Sequence, residues 1–159
     1  MNPDPKTITA RTEQLVRKPV REVFAAFVEP HLLVQFWLAS ASAPLVAGGK
    51  AQWEFMVEGA ADEVEVLALE RDRLIRVRWS DGSVTGWTFT ARGADETVVK
   101  IEQSGFGGTE AEAIATALEA TQGYTIVLCG LKVLLETQTP VHLVADKAKL
   151  IERAMAAGS

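Results

Sequence analysis

The sequence predicts an α+β fold in which a curved antiparallel sheet wraps around one long helix near the C-terminus. Three observations carry that expectation. From Gly123 to Glu136 the run GYTIVLCGLKVLLE places Tyr124, Val127, Leu128, Leu131, Leu134 and Leu135 at spacings of three and four, which makes one apolar helical face. Upstream, short segments alternate apolar with polar residues, the pattern of strands that keep one face wet. Those segments carry Trp53, Phe55, Ile75, Val77, Trp79, Trp87 and Phe89 at alternate positions, so an aromatic sheet face is offered to an apolar helix.

The elements follow in order. Residues 7–16 alternate as a first strand. Pro19 stands where a first helical turn tolerates its missing N–H, and Val20, Val23, Phe24 and Phe27 then form one stripe. Pro30 opens a second short helix with Leu33, Phe36 and Trp37; the residue before a proline avoids helical angles, so the two helices are expected to break at Glu29–Pro30. Pro44 and Gly48–Gly49 mark residues 38–49 as an irregular connection. A meander follows, with strands expected at 50–57, 62–70, 73–80, 84–91 and 96–104. Asp81–Gly82 between two of them is a strong hairpin signal. Gly105-Phe106-Gly107-Gly108 ends the meander, and Thr109 with Glu112 forms a capping-box pattern. A helical region then runs to about Gln138, with a bend expected at Gly123, and Pro140 stops it. Residues 141–159 predict a short extended piece and a last amphipathic helix.

Composition narrows the function. With 159 residues the chain suffices for one well-packed domain, expected over 1–159, and is short for two. A net charge of −5, with no basic cluster free of acidic neighbours, argues against nucleic acid as a partner. Cys129 is the single cysteine, so no intrachain disulfide can form, which points to a reducing compartment. The start, MNPDPKTITA, has neither a basic leader nor an apolar run. No stretch is expected to reach the roughly 20 apolar residues that span a bilayer. The expectation is a cytoplasmic protein with no membrane partner.

The order strand, two short helices, meander, long helix is that of the helix-grip fold, and specific segments strengthen it. VREVFAAFVEPHLLVQFW resembles the opening signature of the START-like (SRPBCC) superfamily, in the branch similar to the ATPase activator of the ninety-kilodalton heat-shock protein. Gly48–Gly49 before Trp53 and Phe55, the run VEVLALERDRLIRVRW, the strand after Asp81–Gly82, and GYTIVLCGLKVLLE continue the resemblance over about residues 7–140, leaving 141–159 as an extension. Tyr124 departs from the tryptophan usual there and would add a hydroxyl to a pocket. The cochaperone carries a further N-terminal domain that has no counterpart in this sequence, so heat-shock-protein activation is not carried over. Single-domain members of this form imply binding of lipophilic or aromatic small molecules.

The expected ligand-binding set is Trp37, Trp53, Phe55, Trp79, Trp87, Phe89, Phe106, Tyr124, Leu128 and Leu131. The competing account is that these residues fill a solid core, as aromatics commonly do. The 19–38 helices and the 105–109 loop are the expected mouth. His31 reads as a solvated first-turn residue, His142 as a surface residue, and Cys129 as an inert thiol. No metal-ligand spacing, nucleophile elbow, phosphate loop or dinucleotide fingerprint is present in the sequence. No catalytic residue, metal or cofactor is therefore assigned. Two alternatives stand beside ligand binding. An enzyme resembling a polyketide cyclase or aromatase predicts at least one buried ionisable group in the cavity, with a shifted pKa and a route to solvent, and Glu54, Arg76 or Arg78 pointing inward would favour it. A cochaperone-like interaction module would need an exposed apolar patch and no cavity. Ile126, Gly130 and Val133 form an apolar back on the long helix, read either as internal packing or as a homodimer face.

Overall fold

The computed structural model describes residues 8–157. Strand β1 spans Ala10–Val16, followed by helices α1 (Val20–Val28) and α2 (Pro30–Phe36). Strands β2 (Leu38–Ala41), β3 (Lys50–Phe55), β4 (Ala61–Glu70), β5 (Leu74–Arg78), β6 (Val84–Ala91) and β7 (Thr97–Ser104) come next. Helices α3 (Glu110–Thr137) and α4 (Leu143–Ala157) complete the described chain. All seven strands form one antiparallel sheet in the order β1-β7-β6-β5-β4-β3-β2. The sheet curves around α3, which is the helix-grip α+β fold.

Local chemistry explains most boundaries. Glu29 has extended angles (φ −91, ψ 124) and Pro30 is the first residue of α2, so the helices break where the proline demands. Thr109 Oγ1 accepts the Glu112 N–H at 3.2 Å and caps α3. The helix runs uninterrupted through Gly123, and ends at Gln138 in the left-handed region, two residues before Pro140. Residue 7 of the expected first strand lies outside the described residues.

Three expectations need correcting. The 38–49 segment contains a strand: Leu38–Ala41 pairs with β3 as the far edge of the sheet, with a register shift between Leu38 and Ser40. Four residues are too few to show a period against the Pro and Gly that follow. The strand expected over 73–80 stops at Arg78, so the β5–β6 hairpin formed at Asp81–Gly82 has the longer loop 79–83, in which the Trp79 N–H donates to Ser83 O at 2.9 Å and Gly82 has φ 90. Finally, α3 is long and apolar enough by length and composition to cross a bilayer. Its apolar face instead packs in the core through Tyr124, Val127, Leu128, Leu131 and Leu134.

Parity along the strands sets what faces that helix. Trp53, Ile75, Val77, Trp79, Trp87 and Phe89 are all buried, and Phe55 is half-buried and packed against them, as the alternation requires. Glu54, Arg76 and Arg78, on the opposite parity, are exposed. Two residues of the apolar back of α3 face other parts of the chain. A Cβ on Gly130 would stand 3.8 Å from the Phe36 carbonyl of α2, and Ile126 borders a cavity beneath α4.

Candidate functional site

The concave face has a closed end and an open end. At the closed end α1 lies over β6 and fills the concavity. Phe24 meets Phe89 with ring centroids 5.2 Å apart, and Phe27 meets Trp87 at 5.9 Å and Phe36 at 5.4 Å. Trp87, Phe89, Leu128 and Leu131 are buried in this packing, and Trp53 joins it through Trp37, at 5.2 Å. None of these five borders open space. The indole N–H groups of Trp53 and Trp87 have no hydrogen-bond partner among the described residues, as expected for rings surrounded by hydrocarbon.

At the open end no residue of α1 or α2 borders the concavity, and a cavity of about 440 Å³ remains between sheet, α3 and α4. Phe55 and Trp79 form its sheet wall with ring centroids 6.1 Å apart, and Trp37 borders it from beside Tyr124, 6.2 Å away. Ala120, Gly123, Tyr124 and Val127 supply the α3 wall. Val144, Lys147, Ala148 and Ile151 supply a third wall from α4, which therefore belongs to the site. Met56, Val57 and Ala60 border it from the turn after β3, whose Glu58 N–H donates to Glu152 Oε1 of α4 at 2.9 Å.

Four of the ten residues expected from sequence thus come together at the cavity: Trp37, Phe55, Trp79 and Tyr124. Trp53, Trp87, Phe89, Leu128 and Leu131 are core. Phe106 packs in a separate small cluster with Ala10, Ala113 and Ala117, anchoring the start of α3. The mouth also differs from expectation. Of the 19–38 segment only Trp37 borders the cavity, and residues 105–109 do not. The turn after β3 and helix α4 stand there instead.

A short polar chain crosses the sheet at this end. Trp79 Nε1 donates to Thr85 Oγ1 at 2.7 Å, and Thr85 Oγ1 lies 3.0 Å from the Tyr124 hydroxyl. Beside it, the Asp81 carboxylate accepts from the Ser83 N–H (2.8 Å) and Ser83 hydroxyl (2.6 Å), and Gln103 Nε2 donates to Ser83 Oγ at 3.0 Å. Thr85 and Ser83 are fully buried. Burial pushes the Tyr124 phenol far above its ordinary value; the Thr85 hydrogen bond opposes this weakly and the Asp81 charge adds to it. The phenol stays protonated. Thr85 and Gln103 were legible in principle, since 85-87-89 and 99-101-103 continue the inward parity and the two residues are paired across β6 and β7. Asp62, Asp81 and Lys147 also border the cavity. His31 and His142 are exposed, and Cys129 is half-buried with Gln14 Nε2 3.9 Å from its sulfur.

The comparisons agree with this architecture. The family described as Activator of Hsp90 ATPase homolog 1-like protein matches residues 17–136. Among solved structures, protein SSP2350 from Staphylococcus saprophyticus superposes with a TM-score of 0.74 at 25% identity, covering 84% of this chain and 96% of that one. DynU16, a protein of the dynemicin biosynthetic locus, gives 0.72 at 27% identity over 87% of this chain and 49% of its own. The Aha1 dimer from Colwellia psychrerythraea gives 0.69 at 15% identity, covering 82% of this chain and 97% of that one, a likeness of fold alone. No curated protein matches the sequence significantly.

Proposed function

The chain belongs to the Activator of Hsp90 ATPase homolog 1-like family, and from that premise we propose that it is a binding protein for a hydrophobic or aromatic small molecule, held between the sheet, α3 and α4. One observation carries the reading: the aromatic face that is packed solid at one end is left open at the other, with Trp37, Phe55, Trp79 and Tyr124 around about 440 Å³. Small-molecule sites are commonly concave, mostly apolar and furnished with a few placed polar groups. Burying about 200 Å² of apolar ligand surface would contribute about 5 kcal/mol before the cost of association, so affinity for a simple hydrocarbon is modest. Helix α4 acts with the rest of the chain as part of one domain, because it walls the site. The expected setting is the cytoplasm.

The test is titration with the neutral dye N-phenyl-1-naphthylamine while tryptophan emission is followed, since Trp37 and Trp79 border the cavity. Saturable quenching with a single stoichiometry is expected; a linear, unsaturable response rejects the proposal. The catalytic alternative finds no support in Glu54, Arg76 and Arg78, which stand on the exposed face.

A second reading, a homodimer, draws on the exposed apolar side chains Leu118 (67% exposed), Leu150 (60%) and Met155 (65%). The dimer named for the Colwellia structure supports it. Native mass spectrometry gives the subunit count directly, and a monomer at micromolar concentration rejects it.

A further inference from the structure

Resting on the reading of the cavity as a binding site, we infer that Tyr124 donates a hydrogen bond to the ligand, which is an apolar molecule bearing a neutral carbonyl oxygen. The inference follows from proton accounting. An indole nitrogen can only donate, so Trp79 gives its hydrogen to Thr85 Oγ1. Thr85 has one proton of its own and is fully buried. Among the described residues its hydroxyl meets only Trp79 and Tyr124. Were the phenol to donate to Thr85, the threonine proton would be sealed in with no acceptor, a condition that folded proteins avoid. Thr85 therefore donates to the Tyr124 oxygen. The hydrogens run in one direction, from Trp79 through Thr85 to Tyr124, and the phenol proton is left for the cavity that Tyr124 borders.

Asp81 does not take that proton, because its contacts run to Ser83 and no hydrogen bond joins it to Tyr124. Its charge does shape the choice of ligand. Asp62 and Asp81 border the cavity against one cation, Lys147. A ligand carboxylate would meet like charges there, whereas a ketone or quinone oxygen accepts from Tyr124 without bringing a charge. Thr85 is a positioning residue, fixing the phenol as a donor towards open space.

The experiment compares two nearly isosteric probes, 2-acetylnaphthalene and 2-ethylnaphthalene, by displacement of the dye from the full chain. The wild type is expected to prefer the ketone by about five- to tenfold. Tyr124→Phe should abolish that preference, bringing the ratio of ketone to ethyl affinity to about one. Thr85→Val should shrink the preference, and Thr85→Ser should restore it; that pair carries the test if Tyr124→Phe fails to fold. Equal binding of both probes by the wild type, or a preference that survives Tyr124→Phe, overturns the inference and leaves the cavity reading standing. Failure of the wild type to bind either probe overturns the cavity reading, and the inference with it.

Discussion

The two ends of the concave face differ in what covers them, although both are aromatic. At the closed end Phe24 and Phe27 of α1 reach into the sheet and meet Phe89 and Trp87. There two buried indole N–H groups have no hydrogen-bond partner among the described residues. At the open end the cover is α4, whose inner face offers Val144, Lys147, Ala148 and Ile151, shorter or more polar than the phenylalanines of α1. Space remains, and the indole N–H of Trp79, which borders it, is satisfied through Thr85. The same sheet pattern thus yields a stabilising core or a receptive cavity, according to the size of the side chains set against it.

Truncation should separate the ends most sharply. Trp87→Ala, in the closed end, is expected to destabilise the fold by about 3–5 kcal/mol, read as a lowered midpoint in urea. Phe55→Ala, half-buried and beside existing space, should cost only about 1–2 kcal/mol. Its larger effect should be weakened dye binding. Equal stability losses for the two variants would break the distinction.

A smaller change probes the open end alone. Gly123 borders the cavity, and a Cβ built on it meets nothing within 4 Å. Gly123→Ala should therefore stabilise α3 by about 0.5–1 kcal/mol through helix propensity. Gly123→Leu should keep the melting temperature at or above wild type while reducing dye affinity several-fold. If dye affinity is untouched by leucine at this position, the ligand does not occupy the space beside α3.

The smallest effect concerns neither end, but the seam where α3 lies along β1, and it serves as a control. Burial alone would raise the Glu136 carboxyl, but the Arg17 N–H at 2.9 Å and the Lys132 ammonium at 2.7 Å, with their charges, outweigh it and hold it below the ordinary 4.5. A carboxylate depressed by folding binds its proton more readily in the unfolded chain. Its contribution is thus present above pH 4.5 and is lost as pH falls through the lower folded value. Glu136→Gln should flatten the acid limb of the stability curve and leave dye binding at pH 7 unchanged. An unaltered acid limb would show that this seam is not held by Glu136.

Much of the architecture was legible because period and punctuation are local properties. The alternation through Trp53–Phe55, Ile75–Val77–Trp79 and Trp87–Phe89 allows one inward face, and Pro30, Thr109 and Pro140 act on neighbours within a turn. Membership of the family was legible for the same reason, since its segments recur in order along the chain. The site was legible only in part. Which inward aromatics would be sealed and which left facing space depended on Phe24 and Phe27 reaching Phe89 and Trp87 from 60 or more positions away. The role of α4 depended on a helix after Pro140 folding back along α3. Residue order alone therefore determined which side chains point inward, because that is a matter of backbone geometry between neighbours. Tertiary structure alone decided where the interior stays empty, because a void exists only by the mismatch of surfaces brought together from distant parts of the chain.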